Sequence, residues 1–250
     1  MKQKQQNNSQ KLNKNNSLQE KISHLKNTSL EKSSYIVFDL ESTGGNPESN
    51  SLTEVCAIRW KNGKEEAKFH TLINPQRKIP PIVRRITGIT NKMVESSPVI
   101  DEVMPKIIDF IGTDIIVSHN TISDLKFIEY FSKKICQHNF ENFFLCTHLL
   151  TQKLFPESPN KSLQGMIKWL ELPINQVHRA EDDAYLTLEL FKVLLKKIRT
   201  KNIFTLEQAV RFQGDIGSLS KLGWTLQANF PPIYDQIGVL TFLNKKNEYL

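Results

Sequence analysis

Asp39 and Glu41 stand two residues apart at the end of the apolar run Tyr35-Ile-Val-Phe-Asp-Leu40. In an extended strand, side chains two apart point to the same side. Two carboxylates on one face of an apolar strand repel each other, and each is costly to keep charged away from water. A divalent cation between them removes that cost, and a hard ion such as Mg²⁺ takes oxygen ligands of this kind. A solvated strand end would carry the same pair with no chemistry attached. Asp124 follows the apolar run Ile115-Ile-Val117 and sits at the start of a helical stretch. Alone it reads as an ordinary acid at the positive end of a helix dipole. His178 and Asp183 form a third piece in His178-Arg-Ala-Glu-Asp-Asp-Ala184. On one regular helix the two would face different ways. They converge if Asp183 is in the first helical turn and His178 in the loop before it. A histidine is suited to take a proton from water near neutral pH. Glu181 and Asp182 are close by, so chemistry alone leaves open which of the three acids is a ligand. A surface histidine beside a capping acid would look the same. Together, four carboxylates and one base are what two-metal phosphodiester hydrolysis requires, with two cations about 4 Å apart on the attacking and leaving oxygens.

These residues need elements to position them. Tyr35–Leu40 reads as a buried central strand, broken by Ser42-Thr-Gly-Gly-Asn-Pro47. Leu52–Trp60 and Glu65–Ile73 read as two more strands. The Asn-Gly pair in Lys61-Asn-Gly-Lys64 between them signals a hairpin. Val99–Ile111 has helical spacing, with Val99, Val103, Ile107, Ile108 and Ile111 apolar. Ile115–Val117 is a fourth strand and Ser123–Lys134 a helix. Glu141–Leu154 and Ser162–Leu170 are expected as helices, separated by Pro156 and Pro159. Ala180–Ile198 is a long amphipathic helix whose basic end suits its dipole. A meander of strands followed by strands alternating with helices implies an α/β fold with a mixed sheet flanked by helices. In such a sheet the acids fall at the strand ends and a helix start, where a site gathers.

The three pieces also resemble a known family. Phe38-Asp-Leu-Glu-Ser-Thr-Gly44, Val117-Ser-His-Asn-Thr-Ile-Ser-Asp124 and His178–Ala184 are similar, in order and spacing, to the three motifs of the DEDDh or DnaQ-like 3′→5′ exonucleases. That family includes the proofreading epsilon subunit of bacterial DNA polymerase III. Ile86-Thr-Gly-Ile-Thr90 resembles the family segment that packs near the substrate's 3′ end, and the similarity covers roughly residues 35–197. The resemblance implies a ribonuclease-H-like fold and two Mg²⁺ or Mn²⁺ ions. It assigns the ions to Asp39, Glu41, Asp124 and Asp183, with the spacing selecting Asp183 over Asp182, and the general base to His178. Ser42, Thr43, Gly44, Thr87 and Asn120 would meet the substrate. The chain departs from the family at Ser123, where Phe is usual before the second-motif aspartate, and at Cys146, where an acid usually precedes Thr147.

The remaining chain fits around this domain. Residues 1–34 are rich in Lys, Gln, Asn and Ser and poor in apolar side chains, so they are expected to form a disordered basic arm. The domain is expected over 35–199 and an extension over 200–250, with a short helix at Phe204–Phe212. Phe230–Leu250 resembles the opening of a GIY-YIG nuclease domain. A net charge of +7 favours a polyanionic partner. That partner is expected to be nucleic acid, DNA with a single-stranded 3′ end, and a DNA polymerase or repair complex is a candidate protein partner. Trimming of RNA ends uses the same metal site. An inactive binding module would be expected to have lost one of the five residues. Cys56, Cys136 and Cys146 form no C-x-x-C pair, so neither zinc nor a disulfide framework is expected. Without a leader-like segment or a long apolar run, no membrane association and a cytoplasmic location are expected.

Overall fold

The computed structural model describes residues 27–173 and 179–214. Its centre is a five-stranded sheet in the order β3-β2-β1-β4-β5. The strands are β1 (Ser34–Ser42), β2 (Leu52–Lys61), β3 (Lys64–Leu72), β4 (Ile115–Ser118) and β5 (Phe144–Cys146). The first three form the expected antiparallel meander. Its β2–β3 turn holds Asn62 and Gly63 at positive φ, 50° and 78°, as a tight Asn-Gly hairpin requires. β4 adds parallel to β1, and β5 parallel to β4. Between β3 and β4 come α1 (Pro81–Thr87), α2 (Asn91–Val94) and α3 (Ile100–Ile111), and between β4 and β5 comes α4 (Thr121–Cys136). After β5 follow α5 (Thr147–Leu154), α6 (Leu163–Trp169), α7 (Ala180–Arg199) and α8 (Leu206–Gln213). The expected mixed sheet flanked by helices is what the chain forms.

Alternation along the strands builds the layers. Tyr35 and Val37 of β1, Cys56, Ile58 and Trp60 of β2, and Val117 of β4 are buried on one face with Ala184, Leu188 and Phe191 of α7. Ile36 and Phe38, Val55 and Ala57, and Ile116 are buried on the other with Val103, Met104 and Ile107 of α3 and Leu125 and Ile128 of α4. Cover on both faces is why the central strands read as unbroken apolar runs. Extending the odd-numbered series up β1 carries Asp39 and Glu41 onto the face that α7 covers.

Three expectations are corrected. Glu141–Leu154 is not one helix: Phe144–Cys146 is the parallel edge strand, and the helix begins at Thr147. The run Phe143-Phe-Leu-Cys146 is apolar without alternation, a pattern that suits a fully buried strand as well as a helix. The domain does not stop at residue 199. The Gln213 side chain of α8 accepts from the Cys146 N–H at 2.9 Å and donates to the Phe144 carbonyl at 3.2 Å, closing the sheet edge as another strand would. Nor does the arm run to residue 34. Leu30 is 2% exposed, its N–H donates to the Phe204 carbonyl, and the Leu206 N–H donates to the Thr28 carbonyl. Residues 27–33 are thus part of the fold. Residues 1–26, His178, and residues 215–250 with the GIY-YIG resemblance lie outside the described residues. Among the described residues no helix is long and apolar enough to cross a membrane.

Candidate active site

Asp39 and Glu41 project from the end of β1 toward the start of α7. Asp183 lies in the first turn of that helix, where its N–H donates to the Arg179 carbonyl at 2.9 Å. Carboxylate oxygens of Asp39, Glu41 and Asp183 lie within 4.8 Å of one another. Of the acids that sequence left open, Asp183 joins the β1 pair. Glu181 turns away, pairing with Lys68 and lying 3.4 Å from His70 Nδ1.

Asp124 stands in the first turn of α4, beyond the end of β4, and is buried. It is not within the 4.8 Å group, but its charge bears on both β1 acids. Burial pushes the Asp39 carboxyl well above its usual range, and Asp124, Asp183, Glu41 and Glu54 push it further. Glu41 rises to about 8, first from burial and then from Asp183, Glu54 and Asp124, against the pull of Arg179. Burial also raises Asp124 to about 8, although the nearby Ser118 hydroxyl and Lys126 ammonium act the other way. Asp124 Oδ2 is buried with no hydrogen-bond partner among the described residues. A buried carboxylate oxygen in that condition is one that a cation would satisfy. The donor set is all oxygen, which suits Mg²⁺ or Mn²⁺ rather than the thiolate and imidazole sets of structural zinc. The residues present therefore fit the expected ions.

The same end of the sheet holds an acid that sequence reading passed over. Glu54 of β2 stands opposite Glu41 in the β1–β2 register and is 0% exposed. Its Oε1 accepts from Arg179 Nη2 at 2.6 Å and lies 2.8 Å from His70 Nε2. Its Oε2 accepts from Arg179 Nε at 2.9 Å and from the Ala180 N–H at 3.0 Å. Burial alone would raise this carboxyl, but His70, Arg179 and the Ala180 amide outweigh it and hold it down at about 2. A signal for it was available. Glu54 shares the strand face of Cys56, Ile58 and Trp60, and a charge in line with buried apolar side chains has to be paired.

The residues expected at the substrate are arranged unevenly. Ser42, Thr43 and Gly44 form a tight loop off β1. The Thr43 N–H donates to the Ser51 carbonyl at 2.9 Å, the Ser51 N–H donates to Thr43 Oγ1 at 3.0 Å, and Ser42 Oγ donates to the Gly44 carbonyl at 2.8 Å. A Cβ on Gly44 would lie 2.5 Å from Asn50 Oδ1, so a side chain there would displace the Asn50 amide that accepts from the Thr43 hydroxyl at 3.3 Å. Asn120 is exposed at the head of α4 in the left-handed conformation, φ 59°, and donates to Ser123 Oγ at 3.0 Å. Ser123, the departure from the family pattern, thus holds the Asn120 side chain. Thr87 is buried, donates to the Val83 carbonyl and accepts from the Ile89 N–H. Its hydroxyl shapes the turn after α1 instead of facing outward.

Comparison with known proteins follows the same lines. A family model described as Exonuclease (RNase_T) matches residues 36–191. The DNA polymerase III subunit epsilon of Aquifex aeolicus (strain VF5) is 37% identical over 164 residues, covering 66% of this chain and 81% of that protein. A putative bifunctional exonuclease/endonuclease protein of Mycobacterium tuberculosis (strain CDC 1551 / Oshkosh) is 29% identical over 231 residues, covering 89% of this chain but only 35% of the relative. Among solved structures, Exonuclease X in complex with 5′ overhanging duplex DNA superposes with a TM-score of 0.55 at 25% identity, over 72% of this chain and 99% of that one.

Proposed function

Since the chain belongs to the DEDDh exonuclease family of metal-dependent 3′→5′ phosphodiester hydrolases, we propose that it removes nucleotides one at a time from DNA 3′ ends, releasing nucleoside monophosphates in proofreading or repair. The observation that carries this reading is the meeting of Asp39, Glu41 and Asp183 oxygens within 4.8 Å, with buried Asp124 beside them. Asp39, Glu41, Asp124 and Asp183 would hold two Mg²⁺ or Mn²⁺ ions, which supply positive charge for the attacking and leaving oxygens. His178 takes the proton of the attacking water, as a neutral imidazole can near pH 7. The backbone of Ser42–Gly44 and the Asn120 side chain meet the terminal nucleotide. Thr87 contributes by fixing the turn that follows α1.

Two observations support nucleic acid, and DNA in particular. From Pro75 to Val94 the chain contains Arg77, Lys78, Arg84, Arg85 and Lys92, all exposed, and no acid. This stretch leaves β3 at Leu72, which the register places opposite Glu54 and so at the site's end of the sheet. Cations there suit a phosphate backbone. Second, the Aquifex relative is a DNA polymerase subunit and the structural neighbour holds DNA, which favours DNA as substrate and a polymerase or repair complex as partner. The alignment with the bifunctional mycobacterial relative covers more of this chain than the described residues make up. That supports reading the segment beyond residue 214 as part of a second, GIY-YIG-like unit.

The test is a comparison of rates on end-labelled single-stranded DNA, mismatched duplex and RNA, with Mg²⁺ or Mn²⁺. Faster cleavage of single-stranded and mismatched DNA ends is expected. An equal or greater rate on RNA would assign the reaction to RNA ends instead.

A further inference from the structure

Glu54 is saturated. Both of its oxygens are engaged, by Arg179 through two nitrogens, by His70 and by the Ala180 amide. A carboxylate so occupied has no oxygen left for a metal. What it does hold is the start of α7. Arg179 is the residue before the first helical turn and makes no side-chain cap of its own. The Ala180 N–H is one of the amides that a helix start leaves unpaired, and a carboxylate from β2 takes it at the positive end of the helix. His70 extends the tie to β3, because its other ring nitrogen lies 3.4 Å from Glu181 of the same helical turn. Lys68, also of β3, pairs with Glu181. Glu54 itself lies opposite Glu41. One buried side chain therefore joins the strand pair that carries Asp39 and Glu41 to the helical turn that carries Asp183.

We propose that Glu54 is a positioning residue: it clamps Arg179 and the first turn of α7 to β2, and so sets Asp183 against the β1 carboxylates. This rests on the nuclease reading above. The bidentate geometry matters, since a planar guanidinium held at two nitrogens cannot swing as a lysine ammonium could. Residues that orient metal ligands from behind typically change metal affinity or activity by about 10–100-fold when altered.

The experiment uses the full chain with Glu54→Gln, Glu54→Asp and Arg179→Lys, and with Arg59→Lys as a control. Arg59 pairs with Asp114 at 2.9 Å toward the opposite end of the sheet, so it reports the effect of weakening any ion pair. Mn²⁺ affinity is measured by calorimetry, amide exchange by mass spectrometry over residues 179–185, and kcat and KM on a single-stranded oligonucleotide. Glu54→Gln puts an amide nitrogen among four donors. It is expected to lower Mn²⁺ affinity by about tenfold, to speed exchange at the start of α7, and to lower kcat by about 10–100-fold with KM within about twofold. Arg179→Lys should do the same more weakly, and Glu54→Asp should recover part of the loss. The proposal is overturned if folded Glu54→Gln keeps wild-type Mn²⁺ affinity and kcat, or if its losses match those of Arg59→Lys. If Glu54→Gln does not fold, Arg179→Lys decides on the same readouts. A wild-type protein that binds Mn²⁺ but cleaves neither DNA nor RNA would sink the nuclease reading, while the affinity and exchange measurements would still judge the clamp.

Discussion

Glu41 and Glu54 face each other across β1 and β2, yet one carboxyl is pushed up to about 8 and the other held down at about 2. The difference is what surrounds each. Glu54 has an arginine, a histidine and an amide, while Glu41 is buried among acids. This divides the pH dependence of stability in two. Asp39, Glu41 and Asp124 hold protons more tightly folded than unfolded. From their ordinary values, 3.8 for Asp and 4.5 for Glu, up to about 8 for Glu41 and Asp124, with Asp39 also raised, the metal-free native state carries more protons than the unfolded chain, so its stability falls as pH rises. Glu54 works oppositely and lower: its contribution is present above 4.5 and is lost as pH falls toward about 2. With chelator, melting should therefore occur at a higher temperature near pH 5.5 than near pH 8, and added Mn²⁺ should raise it more near pH 8. A pH-indifferent Tm with no effect of Mn²⁺ would contradict the burdened carboxylate cluster. His178→Ala should lower turnover by roughly 10²–10⁴-fold and alter the acidic limb of the rate profile. A small loss with an unchanged limb would assign the proton to another group.

Elements long enough to show their period were legible in the sequence. β1, the β2–β3 hairpin, α3 and α7 were placed to within two residues, because each repeats its apolar pattern over several turns or pleats. The acids of the site were legible for the same reason, since Asp39 and Glu41 extend a strand face that Tyr35 and Val37 define. Elements that exist only through partners were not. β5 is three residues long, too short to alternate, and is a strand because β4 on one side and Gln213 on the other supply its hydrogen bonds. α1 and α2 are short and follow prolines and a glycine turn. Glu54 was missed because its meaning lies in Arg179, 125 residues away in the chain. The role of Gln213 can be checked directly. Gln213→Ala would leave the buried Cys146 N–H and Phe144 carbonyl without their partner, and should cost about 1–3 kcal/mol in a denaturant titration. A loss within about 0.5 kcal/mol, typical of inert surface positions, would mean that the edge needs no such closure.

At the scale of the whole molecule, the catalytic sheet is bounded by segments that meet behind it. Residues 27–33 and α8 are joined through Leu30, Thr28, Phe204 and Leu206, and the Tyr35 hydroxyl donates to the Leu30 carbonyl at 2.6 Å. Removing residues 1–26 should leave melting unchanged and weaken low-salt affinity for long nucleic acids, since the lysines lost there carry charge that attracts phosphates. Removing residues 1–33 should lower Tm, because Leu30 leaves the core. Equal melting of the two truncations would show that Leu30 carries no weight. The proposed activity belongs to this scale, because the carboxylates assigned to it come from β1, α4 and α7, elements far apart in the chain. The most direct measurement follows a 5′-labelled single-stranded DNA oligonucleotide on a sequencing gel, with wild-type and Asp183→Asn proteins, in Mn²⁺ and in EDTA. A ladder shortening one nucleotide at a time from the 3′ end is expected, for wild-type protein with Mn²⁺ only. Shortening that persists in EDTA or in Asp183→Asn, or internal fragments in place of a ladder, would contradict it.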